Sequence, residues 1–469
     1  MDLEKRARRE SRRVIITEIL MFVAVVVTVA ILALLVSGYW LNSDLELERQ
    51  GMLQISSVPT GADIEIDGES AWMQRTNMSK VLSSGEHTIV LTKEGYDSWS
   101  KTVSINEGLL YRLHYPRLFL LDRAKEPVLD ASDFTMASIS PNRNNMLLIN
   151  NTTNWGVLNL DSDAPAVKEL DISKVFSSVS IAPDATSGLF TGVIKDINWA
   201  KDNEHILFET ESEAGREWVI LNIKNPNEKV NLTREFAADF SEVAILNDSA
   251  SSLLVVLNGN LHRVDVSSRQ LSAILVEKVH AFDYLNSEVV FSADSDNDSS
   301  GAPYYVGLLK LGENKITTLT TTETIVRPAI SKFYEDEFIA LTDGATISMY
   351  QKQDFREVLT KTISFAPEYI EVGHNGEFIT FSSGEKIATL DMEIMDIREW
   401  SSGSTNSGWL DSDMIYSVVE GDLKVYDFDG FNERTLASNV SVHFPITITN
   451  DKWLYYFSDG QIIREVINR

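Results

Sequence analysis

No cysteine occurs anywhere in the 469 residues. Disulfide frameworks, thiolate metal centres and cysteine nucleophiles are therefore excluded, and cysteine usage leaves the redox compartment open. Basic residues are scarce: 41 Lys and Arg stand against 69 Asp and Glu, a formal charge of −28. That balance argues against nucleic acid as a partner, because phosphate contacts need Lys and Arg. No two of the seven histidines fall at metal-ligand or helical spacing, so zinc and metalloprotease sites lack sequence support. Gly-x-Ser-x-Gly elbows, phosphate loops and dinucleotide fingerprints are missing too. With 11 prolines and 43% apolar residues, the chain reads as folded, and its length demands more than one domain.

What is present begins with charge asymmetry. Residues 1–13 hold Lys5, Arg6, Arg8, Arg9, Arg12 and Arg13 against Asp2, Glu4 and Glu10. Behind this basic arm, residues 14–38 form an apolar run without a charge from Ile19 to Val36. It reaches the ~20 residues that cross a ~30 Å hydrocarbon layer. Tyr39 and Trp40 follow where an aromatic belt would lie, and the basic arm should stay cytoplasmic. A cleaved signal peptide would have a shorter apolar region and small residues at the cleavage site, whereas Val36-Ser37-Gly38 suits cleavage poorly. The expectation is a retained single-pass transmembrane helix over 14–38, then a stalk at 39–50, with the acidic bulk outside the cell.

Residues 51–115 alternate as short strands do. "MLQISSV" puts Leu53 and Ile55 on one face, and "ADIEIDG" does so with Ile64 and Ile66. "SGEHTIVLTKEGY" adds Ile89 and Leu91, and "WSKTVSI" adds Trp99, Val103 and Ile105. One apolar face per strand with Gly-bearing turns predicts a small β-sandwich. The corner Pro59-Thr60-Gly61-Ala62, the "IDG" turn at Ile66–Gly68, the "SGEHTIVL" strand and Gly95-Tyr96 together resemble a PEGA domain. Two departures stand out: Thr60 replaces the name-giving glutamate, and Asn77 follows Thr76 where a proline is usual. The resemblance implies a bacterial or archaeal cell-surface location and no reaction.

From residue 116 to 469 one unit recurs, a polar turn leading at once into an apolar strand. "PNRNNMLLI", "KDNEHILFE", "NDSASSLLVVL", "LNSEVVF", "YEDEFIAL", "HNGEFITF", "LDSDMIYS" and "TNDKWLYYF" begin eight such units. A third and a more polar fourth strand follow in most of them, which predicts a mainly β chain ending in a β-propeller. Eight blades are expected, with seven as the alternative because residues 160–190 are irregular. The eighth unit lacks a fourth strand, and Arg117–Asp130 is predicted to supply it. The stretches "SISPNRNNMLLI" and "DINWAKDNEHILF" resemble, loosely, the TolB-like propellers of the bacterial envelope.

For function, the expectation is a non-catalytic, membrane-anchored envelope protein. It would bind or scaffold envelope proteins, or wall or surface-layer polymer, without a resident cofactor. The alternative is an extracytoplasmic polysaccharide hydrolase or lyase with carboxylates in the propeller channel. One loop, "DSDNDSSG" at Asp294–Gly301, resembles the opening of a calcium loop through Asp294, Asp296 and Asp298, since hard oxygens must converge on the cation. Glycine comes late, and Tyr305 replaces the closing glutamate, so a weak site of about 10⁻⁴–10⁻³ M is expected. Calorimetry should then show calcium stabilising the protein by about 1 kcal/mol. An Asp296→Ala, Asp298→Ala double mutant should lose that response; an equal response in both proteins rejects the loop as a site.

Overall fold

The computed structural model describes residues 18–29, 32–33, 39–41, 47–180, 188–295, 301–313, 315–373 and 375–469. Among the described residues, no helix is long and apolar enough to cross a membrane. Of the span predicted over 14–38, residues 18–29 and 32–33 are helical. The remaining span lies outside the described residues. The chain forms two compact units, Met1–Asp122 and Arg123–Arg469.

In the first unit, Leu47–Ile55 pairs with Tyr39–Leu41, Met78–Ser83 and, in parallel, Leu110–Leu113. A second sheet has the order Glu69–Arg75, Asp63–Ile66, Gly85–Thr92, Trp99–Ile105. Leu53 and Ile55 of one sheet and Ile64, Ile66, Ile89, Leu91 and Trp99 of the other are all at most 4% exposed. Period-2 alternation, one face buried and one solvated, is what two sheets facing each other require. The corner is tied by Thr76, whose hydroxyl accepts from Ala62 N at 3.0 Å and from Ser57 Oγ at 2.8 Å. Gly61 takes φ +78 in that reversal, which glycine adopts without a steric penalty. Asn77 takes φ +76, a conformation closed to proline and tolerated by asparagine, so this departure from the family pattern has a backbone cause.

The first compact unit extends past residue 115, to Asp122. Leu118, Phe119 and Leu120 are buried, with Leu118 N bonded to Val58 O and Leu121 N to Gly95 O. The segment Arg117–Asp130 is therefore divided: its apolar start completes the first unit, and only Lys125–Asp130 serves the second.

Among the described residues, the second unit contains eight four-stranded antiparallel sheets, taken here as blades 1 to 8. They span residues 136–171, 193–231, 240–271, 279–322, 327–362, 369–401 and 407–437, with the eighth made of 447–466 and Lys125–Asp130. The second strand of each blade is the apolar run read from sequence. These runs are continuous because both faces are buried. In blade 1, Leu147 and Ile149 join a cluster with Ile206 and Phe208 of blade 2. Met146 and Leu148, on the opposite face, pack with Tyr455, Phe457 and Ile462 of blade 8. Blade 3 repeats the rule, with Leu253 and Val255 against blade 2 and Leu254 and Val256 against blade 4.

Ring closure follows from the last sheet. Gln461–Val466 pairs antiparallel with Lys125–Asp130, so the ladder has no open edge there. The irregular segment after blade 1 forms a two-stranded insert, Val179–Ser180 with Leu189–Phe190, and Phe176 and Phe190 cap Trp155.

Arg464 locks the closure. Its guanidinium reaches Glu126 on the closing strand and the carbonyls of Ser162 and Asp163 in blade 1, both at 2.9 Å. It also lies 4.1 Å from the Trp453 ring. Removing it orphans two carbonyls, so Arg464→Ala should destabilise the second unit by about 2 kcal/mol. Calorimetric melting of the full chain checks this, and an unchanged melting temperature contradicts it.

Candidate functional site

The first strand of each blade lines the channel. Those of blades 4, 5 and 6 (Val279–Leu285, Arg327–Phe333 and Tyr369–Val372) wall a cavity of about 470 Å³. Phe282, Pro328 and Ile370 supply apolar wall, and Asp283, Arg327 and Glu371 supply charge. Its volume falls within the ~300–1,000 Å³ of small-molecule sites.

Two of the three charged groups are already engaged. Asp283 accepts from Tyr284 N and, across the blade boundary, from Ile330 N, each at 2.8 Å. Burial pushes its carboxyl up, and these two amide donors oppose the shift. Arg327 donates to the Glu368 carbonyl, joining blade 5 to blade 6.

Glu371 is different: its side chain is open to the channel, yet the surrounding protein pushes its carboxyl up through desolvation. Both observations hold because water reaches the group from one side while protein encloses the others. The Tyr416 hydroxyl of blade 7 is pushed up to about 12, chiefly by burial and further by the Glu371 charge. Glu242, on the first strand of blade 3, is also raised by burial. The channel wall is therefore acidic on blades 3, 4 and 6.

Glu371 also lines a second, smaller cavity of about 40 Å³ between blades 6 and 7, with Thr380, Ser382, Ser407 and Trp409. Sequence reasoning did not single out these residues. Their signal was present but not distinctive: Thr380, Ser382 and Ser417 interrupt second-strand runs, as Ser292 does in blade 4.

Of the predicted calcium loop, Asp294 ends the second strand of blade 4. Its Oδ1 lies 2.6 Å from His280 Nε2, and the His280 ring meets Tyr304 edge-on at 5.4 Å. One carboxylate oxygen is thus taken by a histidine that loop spacing did not indicate. Asp296 and Asp298 lie outside the described residues.

The first unit holds a serine–histidine–aspartate grouping that does not have triad geometry. His87 Nδ1 is 2.6 Å from Asp67 Oδ2, and Nε2 is 2.8 Å from the Ser83 carbonyl but 3.5 Å from its hydroxyl. Both ring nitrogens face oxygen acceptors, leaving none to take a proton from Ser83. The grouping clamps the "IDG" turn, and the bond from His87 is the main cause holding the Asp67 carboxyl below its usual range.

Residues 50–116 match the PEGA domain family. No curated protein matches the chain. Among solved structures, the chain is similar to the Dos1 propeller, at 12% identity over 73% of this chain and 94% of that one, with a TM-score of 0.43. It is also similar to an oligogalacturonate lyase in complex with manganese, at 12% identity over 58% and 88%, TM-score 0.38. A third is the dihydro-heme d1 dehydrogenase NirN in complex with DHE, at 11% identity over 64% and 66%, TM-score 0.41.

The engaged and unengaged carboxylates should respond oppositely to mutation. Asp283→Ala orphans two amides and should cost about 2 kcal/mol in chemical denaturation. Glu371 has a folded pKa above its unfolded value, so the stability it contributes when protonated is lost as pH rises through the folded pKa. Glu371→Gln should therefore be as stable as the parent near pH 4 and more stable at pH 8. A uniform loss at both pH values would mean that Glu371, like Asp283, is a structural tie.

Proposed function

We propose that this chain is a non-catalytic binding protein of a prokaryotic cell envelope, held by an N-terminal membrane segment. Its partners are envelope proteins, or wall or surface-layer polymer. The observation carrying this reading is the tandem of a PEGA domain at residues 50–116 and an eight-bladed second unit. Rigid blades with loops at both rims make a frame on which binding residues vary without cost to the core. The basic arm at 1–13 and the apolar run at 14–38 support the membrane segment, and the high acidic charge suits an exposed, soluble surface.

A polysaccharide hydrolase or lyase is the rival reading, favoured by the unengaged Glu371 in a sizeable cavity. Glycoside hydrolysis ordinarily needs two carboxyl groups free to act as acid and as base or nucleophile. Asp283 spends its oxygens on two backbone amides, which supports binding over turnover.

Protease added to intact cells should degrade the body and spare a small membrane fragment. The purified protein should co-sediment with isolated wall or surface-layer material, or cross-link to an envelope protein, and release no soluble fragments. Protection of the body in intact cells overturns the envelope assignment, and release of shortened polymer overturns the non-catalytic one.

A further inference from the structure

The boundary between blades 6 and 7 is more polar than the boundaries before it, where single serines, Ser292 and Ser331, are buried among apolar residues. Paired residues in antiparallel strands share a face, so the register defines what each blade presents. Glu371 pairs with Thr380, and Ser382 pairs with Ile387. Across the boundary Ser407 pairs with Ser417, and Trp409 pairs with Ile415. At the boundary between blades 5 and 6, by contrast, Ala340, Met349, Ile379 and Phe381 form an apolar cluster. The 6–7 boundary also has apolar parts: Phe378 stacks on Phe428 at 3.8 Å, and Ile387 and Ile415 line the small cavity.

The polar part is incompletely satisfied. The Trp409 indole N–H and the Ser417 hydroxyl are buried and, among the described residues, have no hydrogen-bond partner, and Ser417 is 0% exposed. Each such group costs about 1–3 kcal/mol unless something pairs with it. The small cavity that Trp409 lines holds about 40 Å³, above the ~10–15 Å³ that admits one water. It is thus sized for a water or a single ligand group. Glu371 lines this cavity and the 470 Å³ one alike, so its carboxylate belongs to both.

We propose that this cleft receives a hydroxyl group of a saccharide seated in the channel cavity, which assigns a ligand class to the binding reading above and rests on it. The chemistry selects the group. An anion is repelled by the Glu371 carboxylate, and a cation is not matched by the indole N–H, which only donates. A hydroxyl does both, accepting from Trp409 and donating to Glu371. In the larger cavity the apolar Phe282, Pro328 and Ile370 suit the C–H faces of a sugar ring. Beside them, Arg327 and Asp283 offer polar edges.

The test uses the full-length protein with glucose and N-acetylglucosamine as probes, read by saturation-transfer NMR and titration calorimetry. Acetate and ethylamine are the anionic and cationic controls. A saccharide should bind the parent and bind roughly tenfold more weakly to Glu371→Gln and to Trp409→Phe. Thermal melting shows both variants folded. Equal sugar binding by parent and variants overturns this cleft while leaving the binding reading intact. Ethylamine binding that is lost only in Glu371→Gln, without sugar binding, overturns the hydroxyl assignment in favour of a cationic group. No binding by any probe overturns the proposal and leaves the cleft to water; co-sedimentation or cross-linking to envelope material then decides the binding reading separately.

Discussion

The hydrogen bonds between Lys125–Asp130 and Gln461–Val466 are the constraint on which the second unit depends. Seven blades are each made from one continuous stretch of chain, and the eighth is assembled from both ends. Joining strands more than 300 positions apart is slow to achieve but adds little entropic cost over a shorter loop, since that cost grows only as the logarithm of length. Once joined, the last blade has no open edge at that strand, and its inner face can pack on blade 1 through Tyr455, Phe457 and Leu148. The hydroxyl of Tyr455 reaches the Leu160 carbonyl at 2.8 Å, tying the same boundary with a polar contact.

Every other blade inherits its order from that closure. A ring lets each second strand bury both faces, so residues of alternate parity serve different neighbours: Leu207 packs towards blade 3 and Phe208 towards blade 1. Inter-blade polar ties then fix the channel wall, as when Asp283 of blade 4 accepts the Ile330 amide of blade 5. A charged group used in this way positions backbone. Glu371 stands apart because the neighbouring blade offers serine and tryptophan in place of apolar packing or an amide.

Sequence pattern carried the architecture well because its causes are local. Alternation in "ADIEIDG" and "HTIVL" follows from one buried face, and the runs "NMLLI" and "SLLVVL" follow from two. The missing fourth strand of the last unit was countable, which pointed to a segment before blade 1. The division within Arg117–Asp130 was not legible, because "RLFLLD" and "KEPVLD" are both strand-like, and only packing shows that Phe119 serves the first unit.

The candidate site was far less legible. Carboxylates are abundant in this chain, and spacing favoured the run Asp294, Asp296, Asp298 because residues close in sequence are the ones a reader can associate. Glu371 and Trp409 are separated by 38 positions and by a blade boundary. By itself the sequence determined the repeat, the buried faces and the small β unit, since each depends on neighbours within a strand or hairpin. Only the tertiary structure decided which carboxylate is tied and which is open. That depends on whether an amide from the next blade, as Ile330 offers Asp283, reaches its oxygens.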